Sequence, residues 1–305
     1  RSCFNLALKG RYDFLDGLVA PHSCDTIERM YHIWHSNKPT SFDHLINVPH
    51  MLGPSSDAFF RNELKYFISR LEDFTGKKLD ESKLRDAIRL YNRRRALLRE
   101  VYDLRRENPP RVSGTEITKL LVAGMGIPAA EHIGLVSAFI DEVKKRPRPA
   151  ADGLPRIFLW GNEIDDIAFV SLVEECGAHV VMDDLCTGSR FFWQDVSETG
   201  DPLEALARRY LCTHCPRSLK PQAGNRKEDL ENRFGYIREF ADGWKAAGAI
   251  FYIVRYCDTC ELEGPDLREY LTDLKLPVLM IEDDYSTSTI GQLRTRIQAF
   301  LEMIL

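Results

Sequence analysis

Short apolar runs alternate with helical spacing through most of this chain, an order that predicts an α/β fold. Residues 14–20 (FLDGLVA) and 44–49 (HLINVP) are apolar runs of strand length, and CDTIERMYHIWH between them places apolar side chains at helical spacing. A strand, a crossover helix and a second strand make a βαβ unit, so the two strands are expected to lie parallel. From Asp57 to Asn108 the spacing is helical, interrupted at Thr75-Gly76-Lys77 and restarted near Asp80, whose side chain suits an N-cap. Ser113-x-x-Glu116 has the form of a capping box, and Pro128 opens a helix running to about Lys145.

The stretch RPRPAADGLP (146–155) cannot continue that helix, because its prolines lack the backbone N–H the ladder needs. It is read as the linker between an N-terminal α/β domain with a helical segment, residues 1–147, and a C-terminal α/β domain, residues 155–305. Beyond the linker the expected order is strand 156–162, helix 164–176, strand 179–184, a polar helix 227–245 and strand 249–255. A helix over 265–274, strand 277–284 and helix 290–305 follow. That succession is doubly wound, and such sheets bind ligands beyond the C-terminal ends of their strands.

A length of 305 residues favours two domains on a prior of roughly 100–200 residues each. With 41 basic against 46 acidic residues the formal charge is −5, and no basic stretch suggests nucleic acid as a partner. No apolar run approaches the ~20 residues of a membrane span, and the first residues lack the charged-then-apolar order of a signal peptide, so no membrane partner and a cytoplasmic location are expected. The chain opens at Arg1 without a methionine, inside what reads as an element, and a preceding segment is expected to be missing.

In a reducing compartment eight cysteines call for metal binding or reactivity rather than disulfides. Two stand in matching contexts: DGLVAPHSCD and AIFYIVRYCD each close an apolar run with Cys-Asp and open a helical pattern, which places Cys24 and Cys257 at strand ends on the ligand rim. A helix N-terminus favours a thiolate there. Cys212-x-x-Cys215 and Cys257-x-x-Cys260 allow a four-thiolate zinc site, an iron–sulfur site or unrelated cysteines. The zinc arrangement leaves Cys24 unexplained. His22 is placed to exchange a proton near a substrate or to close a loop, and it is the candidate catalytic residue. DDLCTGSR (183–190) and Glu282-Asp283-Asp284 end two further strands, where acids more often cap helices than bind metal. Arg190, Arg294 and Arg296 are read as ion-paired or solvated before any phosphate role. Neither a P-loop nor a dinucleotide fingerprint is present, so nucleotide chemistry falls to another protein.

At RSCFNLALKGRYDFLDGLVAPHSCD (1–25), DDLCTGSR, YCD (256–258) and PVLMIEDDYSTSTIGQLRTRIQAFLE (277–302), the chain resembles a subunit of the 2-hydroxyacyl-CoA dehydratase and benzoyl-CoA reductase family. The resemblance implies two Rossmann-like (flavodoxin-like) parallel-sheet domains and a [4Fe–4S] cluster held by three cysteines from separate segments. It carries Cys24 and Cys257 onto two of those ligands and sets Cys212 and Cys215 outside them. The third falls just before the position of Arg1, with Cys3 and Cys186 as lesser substitutes. It further implies a related second subunit, an ATP-hydrolysing iron–sulfur activator and an acyl-CoA substrate. The reaction is then radical dehydration of a 2-hydroxyacyl-CoA or reduction of an aromatic acyl-CoA. An electron-relay subunit without a substrate site is the first alternative, and a non-catalytic α/β protein with structural zinc the second.

Overall fold

The structure, a computed structural model, describes residues 2–220, 222, 224–284 and 289–305. Arg1 and residues 285–288, parts of two segments that carry the family resemblance, lie outside the described residues. The elements begin α1 (Ser2–Leu8), β1 (Gly17–Pro21), α2 (Asp25–Asn37), β2 (Phe42–Ile46), α3 (Pro54–Thr75) and α4 (Glu81–Asp103). There follow α5 (Gly114–Gly126), α6 (Ala129–Lys145), β3 (Arg156–Gly161), α7 (Ile167–Glu175), β4 (His179–Asp184) and α8 (Ser189–Phe192). The last are α9 (Pro202–Leu211), α10 (Arg226–Gly243), β5 (Gly248–Val254), α11 (Asp258–Asp273), β6 (Val278–Asp283) and α12 (Ile290–Ile304).

Two compact units share the chain. The first comprises Arg1–Asp86, Val196–Pro221 and Tyr256–Thr259; the second comprises Ala87–Asp195, Gln222–Arg255 and Cys260–Leu305. The proline-rich stretch 146–155 lies within the second unit, where it joins α6 to β3.

In the first unit β1 and β2 pair in parallel, Gly17 opposite Phe42 and Pro21 opposite Ile46, with α2 as the crossover. The spacing of Tyr31 and Trp34 puts both on the buried face of α2, and burying a side chain of that size stabilises a fold by roughly 1.5–3 kcal/mol. A second small core sets Phe60 of α3 against Ala207 and Leu211 of α9, flanked by Ile46, Val48, Leu52 and Leu64. Pro54 occupies the first turn of α3, and Gly76 ends that helix in the left-handed region at φ 67°, its N–H donating to the Glu72 carbonyl.

The second unit is built on a four-stranded sheet in the order β4-β3-β5-β6, parallel throughout. Both faces of its central strands are covered, which is why RIFLWG and GAIFYIV are nearly continuous apolar runs. Ile157, Leu159, Ile250 and Tyr252 from the sheet pack with Phe169 and Val173 of α7 and Ile297 and Phe300 of α12. Gly161 closes β3 opposite Tyr252, so near that a Cβ on it would fall 1.9 Å from the Tyr252 carbonyl oxygen. The architecture is therefore α/β with parallel sheets, of four strands in one unit and two in the other among the described residues. The capping box at Ser113 is present in both directions, Ser113 Oγ accepting from Glu116 N at 3.0 Å and Glu116 from Ser113 N at 2.9 Å.

The start of α11 departs from the sequence expectation. α11 starts at Asp258 and takes Pro265 into its interior, whereas the proline was expected to open the helix. A proline forfeits one bond to the carbonyl four residues earlier, and that residue, Glu261, lies on the exposed side of the helix. Among the described residues no helix is long and apolar enough to cross a membrane.

Candidate functional site

Cys24 follows β1 by three residues and occupies the N-cap of α2 in an extended conformation, φ −159° and ψ 164°. Its carbonyl accepts the N–H groups of Ile27 and Glu28, both at 3.1 Å, so the first turn of the helix is wound immediately beyond the sulfur. Cys257 is delivered differently. β5 ends at Val254, and the chain turns through Tyr256, a non-glycine residue in the left-handed region at φ 75°, before Asp258 opens α11. Such a conformation costs a bulky residue of order 1–3 kcal/mol and is kept only where its surroundings require it.

The two Cys-Asp segments meet in the first unit. Thr26 Oγ1, in the first turn of α2 and two residues after Cys24, donates at 3.4 Å to the carbonyl of Tyr256, the residue before Cys257. Burial pushes the Cys24 thiol up, the Cys257 and Cys215 sulfurs push the same way, and the backbone N–H groups of Ile27 and Thr26 oppose them. Cys24 therefore has two other sulfurs within electrostatic reach. The Cys257 sulfur also lies 3.7 Å from Thr259 Oγ1.

Cys215 was set apart by the sequence reading, yet it is one of those two. Its loop is fastened to the β2–α3 connection by a parallel bridge between Met51 and Leu219, with Leu219 N–H on the His50 carbonyl at 2.7 Å and Leu52 N–H on the Leu219 carbonyl at 3.0 Å. Arg217 in the same loop is only 5% exposed. Its guanidinium donates to the carbonyls of Val48 and of Pro49, the latter at 3.0 Å, and its buried Nε has no hydrogen-bond partner among the described residues. Burial pulls its pKa down, while the Cys215 and Cys24 sulfurs pull it up. The sole sequence signal for this loop was the CxxC itself, which left a zinc site, an iron–sulfur site and unrelated cysteines all open.

His22 stands two residues before Cys24. Its Nε2 is 3.1 Å from Glu28 Oε2, and its ring meets His50 edge to face with centroids 5.7 Å apart. Glu28 also faces His32 Nε2 at 3.7 Å, so one carboxylate on the first turn of α2 holds two imidazoles. His50 Nδ1 lies 3.4 Å from the Arg217 carbonyl, and burial with the Arg217 charge holds its pKa down.

The remaining cysteines have other settings. Cys212 is exposed and ends α9, Cys260 is buried inside α11, and Cys3 is exposed on α1. Cys186 lies 3.7 Å from Arg190 Nη1 in the second unit. All eight are outside disulfides. Among the described residues no three His, Cys, Asp or Glu side chains converge as a metal-binding group, so the two CxxC pairs do not form a four-thiolate site. The acids of DDLCTGSR hold the loop together. Asp183 accepts Ser189 N–H at 2.8 Å and the Tyr102 hydroxyl, and Asp184 grips Arg190 in two bonds of 3.0 and 2.7 Å. Arg294 pairs with Glu175 at 2.8 Å, and Arg296 donates to the Met280 carbonyl.

The structure thus defines an α/β protein with parallel sheets, in which Cys24 and Cys257 stand at the starts of α2 and α11. The family described as "2-hydroxyglutaryl-CoA dehydratase, D-component" matches residues 1–304, and the chain belongs to it. A candidate dehydratase subunit of Escherichia coli (strain K12), YjiM, is 31% identical over 298 residues, 95% of this chain and 75% of its own. A benzoyl-CoA reductase subunit of Thauera aromatica is 27% identical, with 100% of this chain and 78% of its own covered. The (R)-phenyllactyl-CoA dehydratase beta subunit of Clostridium sporogenes is 25% identical, with 98% and 78% covered. The chain is thus an enzyme component of the acyl-CoA dehydratase and reductase type.

Proposed function

We propose that this chain is the iron–sulfur subunit of an acyl-CoA enzyme, acting in radical dehydration of a 2-hydroxyacyl-CoA or reduction of an aromatic acyl-CoA. The observation that carries the reading is the Thr26–Tyr256 hydrogen bond, which ties the Cys24 and Cys257 segments together from opposite ends of the sequence. Cys24 and Cys257 would hold a [4Fe–4S] cluster. The donor set fits it in kind, because thiolates are the usual ligands of such clusters and the orphaned Nε of Arg217 offers a buried N–H near anionic sulfur. When bound, the cluster supplies a single low-potential electron to the acyl-CoA.

The chain's own residues do the rest. Burial raises the pKa of the Cys24 thiol while the backbone N–H groups of Ile27 and Thr26 at the start of α2 oppose it, and the turn at Tyr256 leads into Cys257. His22, with Nε2–H donated to Glu28, keeps Nδ1 as a proton acceptor and is assigned the proton transfer. With no P-loop in the sequence, the electron is delivered by a separate ATP-hydrolysing iron–sulfur activator, and the enzyme is made whole by a second, related subunit. The test is iron and acid-labile sulfide per chain in anaerobically purified full-length protein. Cys24→Ala and Cys257→Ala should each lose the cluster while Cys212→Ala keeps it. Normal iron in either of the first two variants defeats the assignment.

A further inference from the structure

Buried arginines are held by anionic partners or by several carbonyls, since an uncompensated buried charge is costly. Arg217 is only partly served. Two backbone carbonyls, of Val48 and Pro49, take its terminal nitrogens, and at 5% exposure Nε has no partner among the described residues. The loop that holds it is not free to release it, being pinned on both sides of the Met51–Leu219 bridge. The Arg217 carbonyl lies 3.4 Å from Nδ1 of His50, whose ring meets that of His22, two residues before Cys24, at 5.7 Å. The Arg217 loop therefore packs beside the Cys24 segment of the same unit, and the Cys215 and Cys24 sulfurs pull the Arg217 pKa up against burial. A fixed cation has thus been buried in the unit that holds these thiols and given one N–H that nothing among the described residues accepts.

We infer that Arg217 is a positioning residue for the cluster assigned to Cys24 and Cys257, its guanidinium holding the anionic group electrostatically and its Nε–H donating to a sulfur of that group. The inference rests on the iron–sulfur reading above. Each one-electron reduction adds a negative charge to a thiolate-ligated cluster, so a neighbouring cation favours the reduced form and raises the potential. The guanidinium stays protonated in both oxidation states, and the electron arrives without a proton from this residue.

The experiment compares wild-type, R217K, R217Q and R217M as anaerobically purified full-length proteins, with thermal unfolding, iron and sulfide content and a dye-mediated redox titration of each. The wild type is read first. If it holds no iron and sulfide, the iron–sulfur reading fails and this inference with it. If it is loaded, R217Q and R217M should show the potential shifted to more negative values and R217K a smaller shift. Folded R217Q without cluster beside loaded R217K also supports the assignment. Loaded variants with the wild-type potential overturn the inference and leave the cluster reading standing. Equal loss of folding in all three variants, Lys included, also overturns it, because the residue then acts through the Val48 and Pro49 carbonyls alone.

Discussion

Asp184→Asn tests how the ligand rim of the four-stranded sheet is held. Asp184 is 1% exposed and accepts Arg190 Nε at 3.0 Å, Arg190 Nη2 at 2.7 Å and the Tyr236 hydroxyl at 3.0 Å. Arg190 is itself buried, and its other terminal nitrogen donates to the Gly161 carbonyl at 2.7 Å. Removing one partner of a buried ion pair costs about 3–5 kcal/mol, because the partner's charge stays uncompensated. Asparagine keeps the shape and some of the hydrogen bonding, which puts the expected loss near the lower end, about 3 kcal/mol. At ~2–4 °C per kcal/mol for a unit of this size, the melting temperature should fall by roughly 6–12 °C. Urea unfolding followed by far-ultraviolet circular dichroism gives the free energy and the slope m together. The double variant Asp184→Asn with Arg190→Met removes the stranded charge and should recover part of the loss. A loss below about 1 kcal/mol at unchanged m, or a double variant no more stable than the single one, refutes the reasoning.

Gly161→Ala should destabilise the second unit by about 3 kcal/mol or more, since the new methyl meets the fixed Tyr252 carbonyl at 1.9 Å; a wild-type urea midpoint would contradict that. Burial of His132, whose Nε2 faces the Leu120 carbonyl at 3.0 Å, lowers its pKa below the unfolded value of about 6.5, so the unfolded chain binds more protons. Its contribution to stability is present above that pH and is lost as pH falls toward the folded value. The unfolding free energy measured from pH 7.5 to 5.5 should therefore decline less steeply in His132→Asn, and parallel slopes would refute the assignment. The isolated chain should not hydrolyse ATP, having no G-x-x-x-x-G-K-[ST] segment, and phosphate release by verified-pure protein would count against a separate activator.

The strands of the larger sheet were legible because parallel strands covered on both faces must be apolar throughout, and HVVMDD was placed at 179–184 as the structure has it. The positions of Cys24 and Cys257 just beyond β1 and β5 were legible because each Cys-Asp pair closes an apolar run in the sequence. Helix α9 went unassigned although Asp201 and Pro202 carry a recognisable start signal, the Asp201 side chain accepting Leu203 N–H at 2.8 Å. The start of α11 was hidden by Pro265, a residue that ordinarily excludes a helix interior. Cys215 and Arg217 were beyond any local pattern. Their place depends on pairing between Met51 and Leu219, far apart in sequence, and arginine is among the residues least expected inside.

The first unit takes its chain from three stretches, the last of them Tyr256–Thr259. A ribosome therefore releases β1, α2 and β2 long before their unit can be finished. Closing so long a loop is slow relative to local folding, and the Cys24 segment cannot meet the Cys257 segment until Tyr256–Thr259 has been synthesised. Iron offered during that interval would meet one of the two proposed ligands. The length of the nascent chain thus acts as a clock for the first unit, which closes only once its last segment has emerged.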